Sequence, residues 1–180
     1  MKFLNITLFN SLMIFLLTVS LFALSAPSFT QDYKVKKVGK AFSHPWGISV
    51  FDNDEVLITE RGGNLFKVNI KNGSRLKISN LPEVYNVRQG GLLDVLIDKE
   101  SVSERNVYIC YSSKVAGGSS TTLMAGTLKE NKLISKKILF KSNNVSESGV
   151  HFGCRLAILN DEIFMSIGDR GNRYEAQDPK

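Results

Sequence analysis

From residue 47 onward the apolar and polar positions alternate in short runs, and each run is cut by turn residues before a helical period can develop. The runs cover residues 47–51, 55–60, 64–70, 92–98, 106–112, 121–128, 132–140, 155–159 and 162–167. Between them stand Asp52-Asn53-Asp54, Arg61-Gly62-Gly63, Lys71-Asn72-Gly73, Lys129-Glu130-Asn131 and Asn160-Asp161, all residues that reverse a chain tightly. The pattern predicts an all-β fold.

A weak internal repeat organises these strands. GISVFDNDEVLITERGGNLFKVN, then LLDVLIDKESVSERNVYICYSS with TTLMAGTLKENKLISKKILF, then RLAILNDEIFMSIGDRGN each run from an apolar strand through an acidic or Asn-rich turn into a second apolar strand. The second strands begin at Val56, Val107 and Ile163, a spacing of about fifty residues that suits propeller blades of four antiparallel strands. Two to three blades do not close a ring, so the expectation is a β-propeller cut short. A sandwich of seven to nine strands is the alternative; it accounts for the strand number but not for the repeat.

The first thirty residues read differently. Lys2 is their only charge, and the stretch from Leu12 to Ala26 is apolar and ends in small residues before Pro27. This predicts a secretory signal peptide over residues 1–30, cleaved near 23–30, with residues 31–180 forming the N-terminal part of a truncated propeller domain. Asn10 and Ser11 interrupt the apolar run and shorten it below the roughly 20 residues of a membrane span, so no stable insertion is expected after cleavage. The expected location is exported, periplasmic or secreted.

Composition adds exclusions. With 43% hydrophobic and 22% charged residues the chain is of globular type, and its net charge of +6 falls to +5 once Lys2 is removed with the leader. Lys34, Lys36, Lys37 and Lys40 are followed only by scattered basic singles without interleaved aromatics, which describes a solvated surface rather than a nucleic-acid interface. In an oxidising compartment Cys110 and Cys154 are able to pair, though the sequence leaves that open. Two cysteines so far apart in the sequence argue against a zinc site.

Three places offer chemistry. His151 lies at the mouth of the 155–159 strand, where a group titrating near neutrality suits a general base. The Gly168-Asp169-Arg170-Gly171-Asn172-Arg173 turn combines backbone freedom with donors and acceptors for an anion or a polyhydroxylated ligand. In Arg88-Gln89-Gly90-Gly91, Gln89 both donates and accepts, and the glycines permit close approach. Each has a plainer reading, as a blade-edge histidine or a tight turn. Nucleotide-binding glycine patterns, phosphate loops and G-x-S-x-G elbows do not occur, which removes sequence support for nicotinamide, ATP and serine-hydrolase chemistry.

Taken in order, His44-Pro45-Trp46-Gly47-Ile48, the 56–63 strand and turn, Gln89-Gly90-Gly91-Leu92-Leu93-Asp94-Val95, the 107–112 strand, His151 with Arg155-Leu156, and Gly168-Asp169 through Ala176-Gln177-Asp178 resemble one family. They look like the N-terminal half of the soluble, periplasmic aldose sugar dehydrogenases of the glucose/sorbosone dehydrogenase family. The resemblance covers residues from about 40 to 180. It implies a six-bladed propeller, pyrroloquinoline quinone as cofactor, calcium ions that bind and activate it, and oxidation of the anomeric carbon of an aldose to a lactone. His151 matches the general base, and hydride passes from the sugar carbon to the quinone. Gln89 matches a residue beside cofactor and sugar, while Arg155, Asp169, Asn172 and Arg173 stand at positions facing the same cavity.

Cys154 departs from the pattern, standing where relatives usually carry a small residue such as glycine. The resemblance also places the remaining cofactor-binding Lys and Arg and most calcium ligands beyond residue 180, so the 180-residue form is expected to be inert. The preferred aldose and the external electron acceptor leave no mark. The competing readings are a secreted, non-catalytic propeller module that binds sugar or protein, and a calcium-dependent propeller lactonase, whose site would need Glu, Asn and Asp where this chain offers His and Gln.

Overall fold

A computed structural model describes residues 33–98 and 105–177 of the chain, so the expected signal peptide lies outside the described residues. From Lys37 onward the chain forms a single unit. Among the described residues its ten strands are β1 (Pro45–Val50), β2 (Glu55–Glu60), β3 (Asn64–Asn69), β4 (Arg75–Lys77), β5 (Leu92–Ile97), β6 (Arg105–Val115), β7 (Gly118–Lys129), β8 (Lys132–Lys141), β9 (Gly153–Leu159) and β10 (Glu162–Ile167), followed by a short 3-10 helix, Arg173–Gln177.

Each turn cluster folds a strand back onto its predecessor, so the strands pair as antiparallel meanders. The first sheet has the order β1-β2-β3-β4, the second β5-β6-β7-β8, and β9 and β10 form a hairpin. The innermost strands are neighbours, β1 beside β5 and β5 beside β9, while the outer strands fan away from them. This is a propeller arrangement of two blades and the first two strands of a third. The second strands of the three units, β2, β6 and β10, are the repeat seen in the sequence.

The second blade is apolar on both faces because it has a neighbour on each. Toward the first blade, Val95, Val107, Ile109 and Met124 pack with Leu57, Leu65 and Ile78. Toward the third, Leu93, Cys110 and Leu123 pack with Phe152, Cys154 and Leu156. Each aliphatic side chain so buried contributes about 1.5–3 kcal/mol. The outward faces of the flanking units have no such cover from the described residues: Ile48 and Val50 on β1, and Leu159 and Phe164 on the hairpin, are exposed.

Two elements differ from the sequence expectation. Strand β4 is only Arg75-Leu76-Lys77, too short and polar to register as a pattern, and is held by pairing to β3. Strands β6 and β7 extend through polar residues to meet at Val115 and Gly118. Their buried hydroxyls are satisfied, Ser113 Oγ lying 2.7 Å from Thr122 Oγ1 and Ser120 Oγ donating to the Ser142 carbonyl at 2.5 Å. A satisfied hydroxyl does not penalise burial as an unpaired one would.

Candidate functional site

Because β5 and β9 are adjacent inner strands, the loops that enter them meet at one end of the blades. Gln89 precedes β5 and His151 precedes β9, and the His151 N–H donates to Gln89 Oε1 at 2.9 Å. The Gln89 N–H in turn donates to the Gly149 carbonyl at 3.0 Å. The chain adopts the left-handed region shortly before every inner strand, at His44 (φ 51°), Arg88 (φ 53°) and His151 (φ 49°). The blade repeat therefore extends to the backbone turn that presents His151.

Asp169 arrives from the far end of β10. Its Oδ1 lies 2.7 Å from His151 Nδ1 and accepts the Gly171 N–H at 2.8 Å. Those two bonds, the Gly171 amide foremost, hold the Asp169 carboxyl below its ordinary 3.8, with a smaller contribution from Arg173. An ionised Asp169 accepts from Nδ1–H, which fixes the tautomer and leaves His151 Nε2 as the acceptor. The chain passes so close here that a β-carbon on Gly168 would overlap the His151 carbonyl oxygen. The imidazole is half exposed and lines a cavity of about 1000 Å³ with Gly168 and Asp169, opposite Phe140, Ser142 and Val145.

Not every residue of the Gly168–Arg173 turn faces this cavity. Arg170, grouped in the sequence with the ligand-facing residues, is only 2% exposed. Its guanidinium lies 3.8 Å from the Phe152 ring centre and donates to the carbonyls of Val150 and Ser119 and to Ser119 Oγ, each at 2.9 Å. Burial alone lowers its pKa. Arg170 is thus a structural strut behind His151. Asn172 donates its N–H to the Asp169 carbonyl at 2.8 Å, and exposed Arg173 starts the 3-10 helix.

The structure gathers Gln89, His151 and Asp169 and sets Asn172 and Arg173 beside them. Arg155 is held elsewhere, its Nη1 lying 3.2 Å from both carboxylate oxygens of Asp94. Asp94, buried between β5 and β9, also accepts the Leu156 N–H at 2.9 Å. Sequence reasoning missed Asp94 as Arg155's partner, and the 142–145 wall of the cavity. A lone acid in an apolar strand was the only available signal for the former.

The open question of the cysteines is answered: Cys110 and Cys154 form a disulfide that joins β6 to β9, and both are fully buried. Cys154 has φ 79°, a region that favours glycine, which accounts for the glycine expected at this position. Among the described residues no three or more His, Cys, Asp or Glu side chains gather as a metal site, and no helix among them is long and apolar enough to cross a membrane.

Similarity to known proteins bears on what this arrangement is. The aldose sugar dehydrogenase YliI of Escherichia coli strain K12 is 31% identical over 140 residues, covering 75% of this chain and 38% of its own length. The crystal structure of the soluble aldose sugar dehydrogenase from Escherichia coli in the apo-form superposes with a TM-score of 0.68 at 31% identity, over 76% of this chain and 41% of that one. The PQQ-bound form of an aldose sugar dehydrogenase from Streptomyces coelicolor shares the fold, with a TM-score of 0.69 at 22% identity over 81% of this chain and 44% of that one. The chain spans about two fifths of the length of these proteins. The Glucose / Sorbosone dehydrogenase family profile matches residues 42–180, from the approach to β1 through the Asp169 turn, and this chain belongs to that family of sugar-oxidising oxidoreductases.

Proposed function

We propose that the protein carrying this chain oxidises the anomeric carbon of an aldose to the lactone, with His151 as general base and pyrroloquinoline quinone as cofactor. The observation that carries this is the His151–Asp169 pair, 2.7 Å apart at the edge of a cavity of about 1000 Å³. Oxidising a hemiacetal carbon removes a hydride from carbon and a proton from its hydroxyl, and the proton needs an acceptor within reach. With Nδ1–H donated to Asp169, His151 Nε2 takes that proton, and the adjacent carboxylate stabilises the imidazolium that results. Gln89 fixes the backbone of His151 through Oε1 and keeps its amide nitrogen available to a sugar hydroxyl or a cofactor oxygen.

The residues present suit a planar, polycarboxylated quinone. Gln89, Asn172 and the exposed cation Arg173 would hold it, beside a cavity whose walls mix polar and apolar groups. When bound, it supplies the two-electron acceptor that no amino-acid side chain provides. Asp169 serves this site best by orienting His151, and Arg155, tied to Asp94, is the weaker of the candidate cofactor contacts. Among the described residues no three or more carboxylate, imidazole or thiol side chains gather that could hold calcium.

We place the protein outside the cytoplasm, on the apolar leader and on the buried disulfide between β6 and β9. The test of the function is dye reduction by the complete protein, loaded with quinone and calcium, across a panel of aldoses, with lactone identified as product. Turnover of at least one aldose is expected. A folded, loaded protein inert toward every aldose would instead favour the non-catalytic sugar- or protein-binding propeller.

A further inference from the structure

His151 stands on a segment, residues 149–152, that precedes β9 and belongs to no strand. The backbone there enters the left-handed region at Gly149 (φ 67°) and His151 (φ 49°), and again at Gly153 (φ 75°) and Cys154 (φ 79°) as the strand begins. A residue with a β-carbon, such as His151, keeps that conformation only where its surroundings over-determine it.

Arg170 supplies that constraint from behind. Its Nε donates to the Val150 carbonyl at 2.9 Å, its main-chain N–H donates to the His151 carbonyl at 3.4 Å, and its guanidinium lies 3.8 Å from the Phe152 ring centre. The base and both of its chain neighbours therefore rest on one residue. The other end of the guanidinium reaches across to β7, donating to the Ser119 carbonyl and to Ser119 Oγ, each at 2.9 Å. The segment that carries His151 is thus keyed to the second blade as well as to the third. The Arg170 carbonyl accepts Ser148 Oγ at 2.6 Å, and Asp169, which orients the imidazole, is the residue just before Arg170.

Arg170 is 2% exposed and does not line the His151 cavity, so it makes no contact with a bound sugar. All the acceptors named are neutral carbonyls or a hydroxyl, an unusual setting for a buried charge. What the arginine brings is shape: a planar fork of donors that reaches separate acceptors at once while its face covers an aromatic ring.

We propose that Arg170 is a positioning residue for the sugar oxidation, setting where the His151 imidazole stands relative to Asp169 and to the sugar hydroxyl. This rests on the reading of His151 as general base. Proton transfer needs a short, aligned approach, and a displacement of about 1 Å costs up to about 10²-fold in rate. Arg170→Lys keeps the charge and one donor but loses the fork and the planar stack, so residues 150–152 lose their register while the fold is retained.

The test compares the complete, quinone-loaded protein with its Arg170→Lys, Arg170→Ala and Leu133→Ala variants by steady-state dye reduction with an aldose. Leu133→Ala destabilises the core between the first two blades without touching the His151 segment. Arg170→Lys should lower the catalytic constant about ten- to hundredfold with KM within about twofold of wild type, because Arg170 acts on the base and not on the bound sugar. Arg170→Ala should lose at least as much where it folds, and Leu133→Ala should stay within about twofold of wild type in both constants. A second readout needs no turnover. Nitrogen-15 NMR of histidine-labelled protein, with the His151 signals assigned by their loss in His151→Ala, should show the Nδ1–H tautomer in wild type and Leu133→Ala and a mixture of tautomers in Arg170→Lys. A catalytic constant for Arg170→Lys no lower than that of Leu133→Ala overturns the proposal, and so does an unchanged His151 tautomer. If the wild type oxidises no aldose, the dehydrogenase reading fails by itself, and the NMR comparison still decides whether Arg170 holds the imidazole.

Discussion

Removing the Cys110–Cys154 disulfide should cost several kcal/mol while leaving the side chains that line the His151 cavity in place. The bridge closes a loop with a sequence separation of 44, for which the chain-entropy relation gives about 4 kcal/mol at 25 °C, acting through the unfolded chain. A separate backbone cost sits on the folded side. Cys154 sits at φ 79°, where a residue with a β-carbon is less stable than glycine by about 1 kcal/mol. Cys110→Ala/Cys154→Ala keeps a β-carbon at that φ and should therefore be less stable than wild type by the full loop term, about 4 kcal/mol. Cys110→Ala/Cys154→Gly should recover about 1 kcal/mol, because glycine adopts that backbone without strain. Equilibrium urea denaturation of the complete protein, with and without reductant, measures both differences. Reduced wild type should approach the double variants. A loss under 1 kcal/mol in the double-alanine variant would refute the reasoning about the bridge. A glycine variant less stable than the alanine variant would refute the reasoning about Cys154.

Other changes probe the His151 surroundings. Asp169→Asn should lower the catalytic constant of the loaded protein about 10²- to 10⁴-fold, because the neutral amide no longer enforces the Nδ1–H tautomer; steady-state dye reduction measures it. The same variant has a pH signature. Asp169 titrates below 3.8 in the folded chain, so its contribution to stability is present above that value and is lost as the pH falls through the lower, native pKa. The gap in urea midpoint between wild type and Asp169→Asn should close as the pH is taken from 6 to below about 4. Arg170→Ala should destabilise by about 2–5 kcal/mol, since it leaves the carbonyls of Val150 and Ser119 without their donor inside the fold; thermal denaturation reports it.

Much of the fold is written locally and was legible for that reason. The Asp52-Asn53-Asp54 and Asn160-Asp161 turns, and the apolar runs they separate, specify hairpins without reference to distant residues, so nearly every strand and the blade repeat could be read from sequence. Strand β4 was not legible, since Arg-Leu-Lys becomes a strand only when β3 offers it an edge. The serines and threonines of β6 and β7 concealed the length of those strands, because hydroxyls that find partners across the sheet bury as readily as apolar groups. In the site, the sequence pointed to Gln89, His151 and Asp169 as separate candidates. Their contact depends on β5 and β9 lying side by side, a long-range fact. Arg170 illustrates the other limit: with φ 54° the backbone sends its side chain inward, and nothing in Gly-Asp-Arg-Gly-Asn-Arg distinguishes it from outward-facing Arg173. The Asp94–Arg155 and Cys110–Cys154 pairs span 61 and 44 residues and were hidden for the same reason.

The central claim is that His151, held in one tautomer by Asp169, removes the hydroxyl proton as the sugar is oxidised. Its most direct test is the catalytic constant of His151→Ala against wild type in the complete, quinone-loaded protein, with an aldose the wild type oxidises and with folding verified by circular dichroism. The account predicts a loss of about 10²- to 10⁴-fold. A folded His151→Ala variant that turns over within a fewfold of wild type would contradict it.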